Sequence, residues 1–365
     1  MKKVKLIDIC KPKQWATIST DKLLRDGYPV YGANGRIGYY DKYNHQYPTL
    51  LITCRGATCG TINISEPKSY INGNAMCLDD LHPDILLKYL YYQLLNYNFK
   101  EVISGSAQPQ ITREGLAKVW LNIHSLEEQK AIAERLDKVS GLIEKRKTQL
   151  EKLDLLIKSR FIEMFGEPES NPTHWDMLPL ENCLTVLGGY AFKSEEFKTS
   201  GVPVLRIGNI NTGVFTPTNL VYWTKDASLE RYQVLPGDLV ISLTGTVGKD
   251  DYGNVCILGN AYTMYYLNQR NAKLILGESL NKHYLSELLK FSQIKKKLTG
   301  ISRGVRQANI SNRDILNLVV PIPPIELQTQ FSAFVEQTDK SKFEIQKSLE
   351  KLEILKKSLM QQYFG

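Results

Sequence analysis

Leu150-Glu-Lys-Leu-Asp-Leu-Leu-Ile-Lys-Ser159 returns, nearly letter for letter, as Leu349-Glu-Lys-Leu-Glu-Ile-Leu-Lys-Lys-Ser358, and each copy runs on to a closing Phe-Gly. Working outward at the same offset of 199, residues 105–166 align with 304–365 without a gap. Of these 62 positions 15 are identical, nine of them in the last 17, so the match is strongest where the local sequence is most regular. Upstream, Gly27-Tyr-Pro-Val30 matches Gly201-Val-Pro-Val204, and Gln108-Pro-Gln-Ile-Thr112 matches Gln307-Ala-Asn-Ile-Ser311. Between these, Tyr70-Ile-Asn-Gly-Asn-Ala75 resembles Tyr266-Leu-Asn-Gln-Arg-Asn-Ala272 if one residue is inserted. An internal repeat organises a chain before any local feature does. The order is a globular unit (1–125), a helical segment (126–166), a second globular unit (167–324) and a second helical segment (325–365).

Residues 126–165 contain no proline and one glycine. Leu136, Val139, Ile143, Leu150, Leu153, Ile157 and Met164 recur at three- and four-residue steps, broken by Arg146 and Arg160. This is the narrow apolar seam of a long amphipathic helix, stopped by Gly166 and Pro168. The second copy keeps Ile345, Leu349, Leu352, Leu359 and Tyr363 in register and starts after Pro321, Pro323 and Pro324. Such segments of ~40 residues make rods of roughly 60 Å. A seam this narrow needs another rod to cover it, and the two copies are the expected partners.

The globular units read as mixed α and β. Pro48-Thr-Leu-Leu-Ile-Thr53 and Gly237-Asp-Leu-Val-Ile-Ser242 are apolar strands, running into the glycine turns Arg55-Gly-Ala-Thr-Cys-Gly60 and Thr244-Gly-Thr-Val-Gly248. Residues 86–95 and 283–291 are matching helices. In the first, Tyr89, Tyr91, Tyr92 and Tyr97 offer rings for stacking on bases, although packing at the core and its rim is the favoured reading.

With 365 residues, 42% of them hydrophobic, the chain can bury two cores, and no apolar run is long enough to span a membrane. The opening residues lack a signal-peptide core. Cysteines 10, 54, 59, 77, 183 and 256 form no C-x-x-C pair and are expected as free thiols in a reducing cytoplasm. The five histidines are scattered singly, so no metal site is expected. The net charge of +8 lies almost entirely outside the helical segments, and 290–313 carries seven basic residues and no acidic one, which suits a phosphate backbone. Nucleotide loops, a methyltransferase signature and a nuclease carboxylate cluster are all missing. Asp250-Asp251 reads as a solvated turn, not a magnesium site.

In its repeated order of motifs the chain resembles, over its whole length, the specificity subunits of Type I DNA restriction–modification systems. The residues carrying this resemblance are the G-x-x-Q-x-[QN]-I-[TS] turns, followed by Ile123-His-Ser-Leu-Glu-Glu-Gln129 or Ile322-Pro-Pro-Ile-Glu-Leu-Gln328 and a long helix ending in Phe-Gly. His124 and Ser125 replace the prolines of the second copy, leaving the first helix start less defined. The resemblance implies an α+β fold: two tandem mixed α/β target recognition domains joined by two long helices packed as an antiparallel coiled coil. It also implies a non-catalytic subunit that reads a bipartite, asymmetric double-stranded DNA target. Methyltransferase subunits, two of them, and restriction subunits are the implied partners, carrying S-adenosylmethionine, ATP and Mg.

On that reading Arg303 and Arg306, beside Gln307 and Asn309, face the second half-site, since arginine is the usual bidentate reader of guanine. Arg55 and Arg36, with Asn34, Asn74 and Gln108, face the first. Lys295, Lys296 and Lys297 are expected on phosphates. Lys145, Arg146, Lys147, Lys356 and Lys357 mark the expected methyltransferase docking side. The competing readings are the same module in a combined methyltransferase–nuclease system, decided by neighbouring genes, and a coiled-coil protein scaffold, against which the basic 290–313 run argues.

Overall fold

A computed structural model describes residues 1–105, 108–300 and 307–365, the side chain of Gln307 excepted. The chain forms two compact units, Met1–Thr148 with Ile345–Gly365, and Gln149–Glu344. The fold is α+β, and each unit contains part of both long helices, Leu126–Phe165 and Ile325–Phe364.

In the first unit a four-stranded antiparallel sheet runs in the order Lys11–Gln14, Ala75–Asp79, Leu50–Thr53, Ile62–Ile64. All four residues of Leu50–Thr53 are buried because both faces are covered. Leu50 and Ile52 face a core with Met76, Tyr89, Leu136 and Met360, whereas Leu51 faces Tyr31, Ile71 and Cys77. A strand covered on both sides reads as a continuous apolar run, which is why the sequence revealed it. A second sheet orders Gly35–Tyr40, Tyr28–Gly32 and Tyr70–Ile71, and Lys2–Lys5 pairs with Trp120–Ile123.

The second unit repeats this plan. Leu184–Gly188, Asn271–Leu276, Leu239–Ser242 and Val255–Ile257 form one antiparallel sheet. Val221–Trp223, Val202–Leu205, Tyr265–Leu267 and Gln233–Val234 form the other, with one parallel pair, Val202–Leu205 against Tyr265–Leu267, as in the first unit.

Within each unit the helix segments run antiparallel. Arg135 Nη1 donates to Tyr363 Oη at 3.0 Å in the first unit, and Leu136 and Met360 share its core. In the second, Lys342 Nζ meets Asp154 Oδ1 at 2.7 Å while Phe161 packs on Phe331. The seam departs from the expected one in the last turns of the first helix. Phe161 and Phe165 are the fully inward residues and Met164 is only partly buried, because a step of four from Ile157 keeps the ring side of the helix inward. Lys342 is a polar member of the second helix's seam, tolerated through its bond to Asp154.

The first helix starts without the proline pair. Ser125 N and Oγ both donate to Glu128 Oε2, at 3.0 and 2.8 Å, and Glu128 N donates back to Ser125 Oγ at 3.3 Å. This capping box fixes the boundary that Pro323 and Pro324 set in the other copy. One turn later, the repeated glutamines are buried polar anchors. Gln129 accepts from Leu86 N and donates to the Asp84 and His124 carbonyls. Gln328 does the same with Asn281 N and the Ser279 and Pro323 carbonyls.

The tyrosines settle as packing. Tyr89 is fully buried, donating to Asn122 O at 3.0 Å, and burial pushes its hydroxyl up to about 12. Tyr92 donates to Asp137 at 2.6 Å, and Tyr97 packs on Phe99. Tyr284 repeats the Tyr89 bond, to Pro321 O at 2.8 Å.

Candidate nucleic-acid interface

The glycine turns and the Q-x-[QN]-I segments, far apart in sequence, are hydrogen-bonded together in both units. In the first, Ile111 N donates to Cys54 O at 3.0 Å and Gly56 N to Pro109 O at 3.1 Å, which sets Arg55 opposite Gln110. In the second, Ile310 N donates to Leu243 O at 2.8 Å, and Thr244–Thr246 pairs with Gln307–Asn309, placing Thr244 opposite Asn309. The bond between backbones is the same and the displayed side chains differ.

Around this pairing the first unit gathers a polar rim. Asn34 sits exposed in the turn between Tyr28–Gly32 and Gly35–Tyr40, and accepts a hydrogen bond from Thr58 Oγ1 in the glycine turn. Cys54 N donates to Asn74 O at 3.3 Å, bringing the exposed Asn74 alongside. Arg55 and Gln108 are exposed too. Arg36 shares its charge with Glu66 at 3.6 Å and lies over the Tyr39 ring, so it is the least available of the group.

The second unit's rim corrects the sequence alignment. Tyr70 and Tyr266 hold matching parallel registers, opposite Val30 and Val204, while Ala75 pairs with Thr53 where Asn271 pairs with Ser242. The two stretches therefore match without an insertion, and Asn74 falls on Arg270, whose carbonyl accepts from Leu243 N as that of Asn74 does from Cys54 N. Arg270 is exposed. Sequence reading missed it because the paired Asn-Ala dipeptides invited a gap. Gln110 and Thr244 were missed as well, since only the backbone pairing brings them to the rim; Thr58 joins through its bond to Asn34, and Lys249 follows the paired strand in the next turn.

Of the basic run, Lys296 and Lys297 are exposed near the end of the short helix Ser292–Thr299. Lys295 is different: it is 7% exposed and its ammonium binds Asp250 and, at 2.6 Å, Asn254 Oδ1. Asp251 accepts from Thr246 N and Oγ1 at 2.8 and 2.9 Å, and these bonds hold its carboxyl below the usual range. Both aspartates thus close the turn that presents Lys249. Lys249, Lys290 and Lys296 line one groove of about 1110 Å³ with Asp250 and Glu287. Arg303 and Arg306 lie outside the described residues; Asn309 is exposed. On the helices, Lys145, Lys147 and Lys357 are exposed, whereas Lys356 lies over the Tyr92 ring.

Two units that present different polar rims on one repeated frame define a recognition protein. The family model of the Type I restriction modification DNA specificity domain matches residues 1–153 and 172–356, and the chain belongs to that family as a specificity subunit, which is not itself catalytic. It is similar to the Type I restriction enzyme MjaVIII specificity subunit of Methanocaldococcus jannaschii, 26% identical over 332 residues that cover 85% of this chain and 77% of the relative. It is also similar to the EcoKI specificity subunit of Escherichia coli, 27% identical over 43% of this chain and 34% of the relative. The fold matches the S subunit of a Type I restriction–modification system from M. genitalium with a TM-score of 0.67, at 17% identity, covering 100% of this chain and 96% of that one. No described helix is long and apolar enough to cross a membrane.

Proposed function

We propose that the first rim (Arg55, Gln110, Asn74, Asn34, Thr58 and Gln108, with Arg36 at its edge) reads one half of a bipartite double-stranded DNA target. The second rim (Arg270, Thr244, Asn309 and Gln307, with Arg303 and Arg306) reads the other. Residues 1–125 and 167–324 are the target recognition domains, and 126–166 and 325–365 the spacer helices. Lys249, Lys296 and Lys297 serve phosphates, and Lys295 holds the Asp250 turn that presents Lys249. Two methyltransferase subunits dock on the helices and restriction subunits join them, bringing S-adenosylmethionine, ATP and magnesium in the cytoplasm.

One observation carries this reading: the same backbone pairing shows Arg55 with Gln110 in one unit and Thr244 with Asn309 in the other. Side chains that differ on equivalent positions ask for different bases, so the two half-sites differ. The test is to supply the chain with its methyltransferase and map the methylated adenines. An asymmetric two-part motif is expected, with Arg55→Ala altering only one part and Arg270→Ala only the other. Substitutions in one rim that change both parts, or neither, refute the assignment.

A further inference from the structure

On the strand Ala75–Asp79 alternate residues share a face, and Ala75 and Cys77 pack with Tyr31, Ile71 and Trp15 between the two sheets of the first unit. Asp79 lies on the same face. His45 arrives from the loop after Gly35–Tyr40, held there by Ser69: His45 N donates to Ser69 O and Ser69 N to His45 O, each at 3.0 Å. The ligand atoms of His45, Cys77 and Asp79 all lie within 4.8 Å of one another. The His45 and Asp79 side chains are 9% and 14% exposed and Cys77 is fully buried.

Hydrogen bonds fix how the ring is used. Asn44 Nδ2 donates to Ile71 O at 3.1 Å and Asn44 Oδ1 accepts from Ile71 N at 2.8 Å, so Oδ1 is an acceptor. It stands 2.7 Å from His45 Nδ1, which must therefore carry hydrogen. Nε2 then faces Asp79 Oδ1 at 2.9 Å, a carboxylate oxygen with nothing to donate. A proton, carried by the ring or by the carboxyl, or a metal ion has to lie between them. Cys77 favours the metal: a proton gives its sulfur nothing to bind, whereas a cation takes it as thiolate. The charges close as well, since a dication with one thiolate, one carboxylate and a neutral imidazole sums to zero in a nearly dry site.

We propose that His45, Cys77 and Asp79 bind a zinc-class divalent cation that pins the loop carrying His45 onto the four-stranded sheet. Nitrogen, sulfur and oxygen donors from three residues suit zinc and leave its fourth tetrahedral position for water. The outer partners such a site needs are in place: Asn44 orients the imidazole, and Trp15 Nε1 donates to the second Asp79 oxygen at 3.0 Å. As the sulfur–metal bond forms, the Cys77 thiol releases its proton to solvent. The spacing hid this site, because His45 stands 32 residues before Cys77 and only the strand and the Ser69 pairing bring them together. The loop continues from the strand that carries Arg36, so the ion would stiffen the first rim.

The full chain, stripped with chelator, is titrated with Co(II) alone as an optical stand-in, and zinc content is measured after gel filtration from zinc-containing buffer. One zinc per chain and a thiolate-to-cobalt charge-transfer band are expected. The band is expected to vanish in Cys77→Ser and weaken in Asp79→Asn, and to survive in Cys256→Ser, which alters a buried thiol of the other unit. If Cys77→Ser does not fold, the weaker cobalt binding of Asp79→Asn decides alone. Wild-type chain that retains no zinc and shows no band leaves His45–Asp79 as a proton-bridged pair and overturns the proposal. A band undiminished in Cys77→Ser or Asp79→Asn overturns it too.

Discussion

Phe161 offers the sharpest test of how the second unit is held to its helices. Its ring is fully buried, 4.9 Å from Phe165, 5.0 Å from Phe291, 5.3 Å from Tyr284 in a near-parallel stack and 5.5 Å from Phe331 edge-on. In Phe161→Ala the lost transfer energy of a buried phenylalanine is about 1.5–3 kcal/mol. One neighbour is on the same helix, while Tyr284 on Lys282–Lys290, Phe291 just after it and Phe331 on the second long helix are anchored elsewhere and cannot all collapse into the void, so the total should reach about 3–5 kcal/mol. The unit spans 149–344, a size for which each kcal/mol moves the melting point by about 2–4 °C, giving a fall of roughly 6–20 °C. The comparison is Arg160→Ala. Arg160 binds Glu163 at 2.8 Å and lies over the Phe334 ring with its side chain 40% exposed, so its loss should cost about 1–2 kcal/mol, less than that of Phe161. Calorimetry and urea denaturation at constant m-value read both. A loss below about 1 kcal/mol for Phe161→Ala, or a larger loss for Arg160→Ala, would mean that the seam is turned by one position and that Phe161 does not anchor the unit.

Arg270→Ala should weaken binding to cognate DNA by about 1–3 kcal/mol and leave scrambled DNA nearly unaffected; equal loss on both would make it a phosphate contact. Gln328→Ala should cost on the order of 2–3 kcal/mol in urea denaturation, because the Pro323 carbonyl loses its partner while buried and the part-buried bonds to Asn281 N–H and the Ser279 carbonyl go with it. Burial, with Lys282 adding and Glu336 opposing, holds the His283 imidazole below its ordinary 6.5. The unfolded chain therefore takes up the proton first, and stability is lost as pH falls from about 6.5 through the lower folded value; His283→Gln should flatten that part of the urea-midpoint profile. A chain ending at Gly166 loses Met360, Tyr363 and Phe364 from the first unit's core, and Phe161, Met164 and Phe165 of a second copy occupy the same repeat positions. Sedimentation should show a homodimer, and a stable folded monomer would refute that exchange.

The repeat, the helix bounds and the buried strands were legible because they depend on periodicity, and a fully covered strand or a seamed helix writes its environment into its own residues. The inward turn from Ile157 to Phe161 was harder to read, since Arg160 and Met164 fit an apolar stripe as well on paper once an arginine is allowed to lie along it. The rim was legible only in part. Arg55 and Asn74 stand out as polar residues in a glycine-rich context, but Gln110 and Thr244 join them through backbone pairing across distant segments. Arg270 was lost to a gap that the parallel register of Tyr266 with Val204 forbids. Lys295 looked like its neighbours in a basic run, yet the helix turns its ammonium toward Asp250 and Asn254 while Lys296 and Lys297 stay outside.

Away from the closely matched helix ends, what the repeat retains and what it varies follow a physical division. There, equivalent residues sit where a lost partner would strand a polar group inside the fold: Gln129 and Gln328 under the helix starts, Tyr89 and Tyr284 against the last strand of each unit. At the rim the frame is set by main-chain bonds, Ile111 to Cys54 and Ile310 to Leu243, which place no demand on the side chains they display. Arg55 can be Thr244 and Asn74 can be Arg270 at little cost to folding, because each is exposed or half-exposed and none closes a buried network. A protein built this way can change the bases it reads without renegotiating its core. The two rims within this one chain have already diverged by that route, while the bonds beneath them have not.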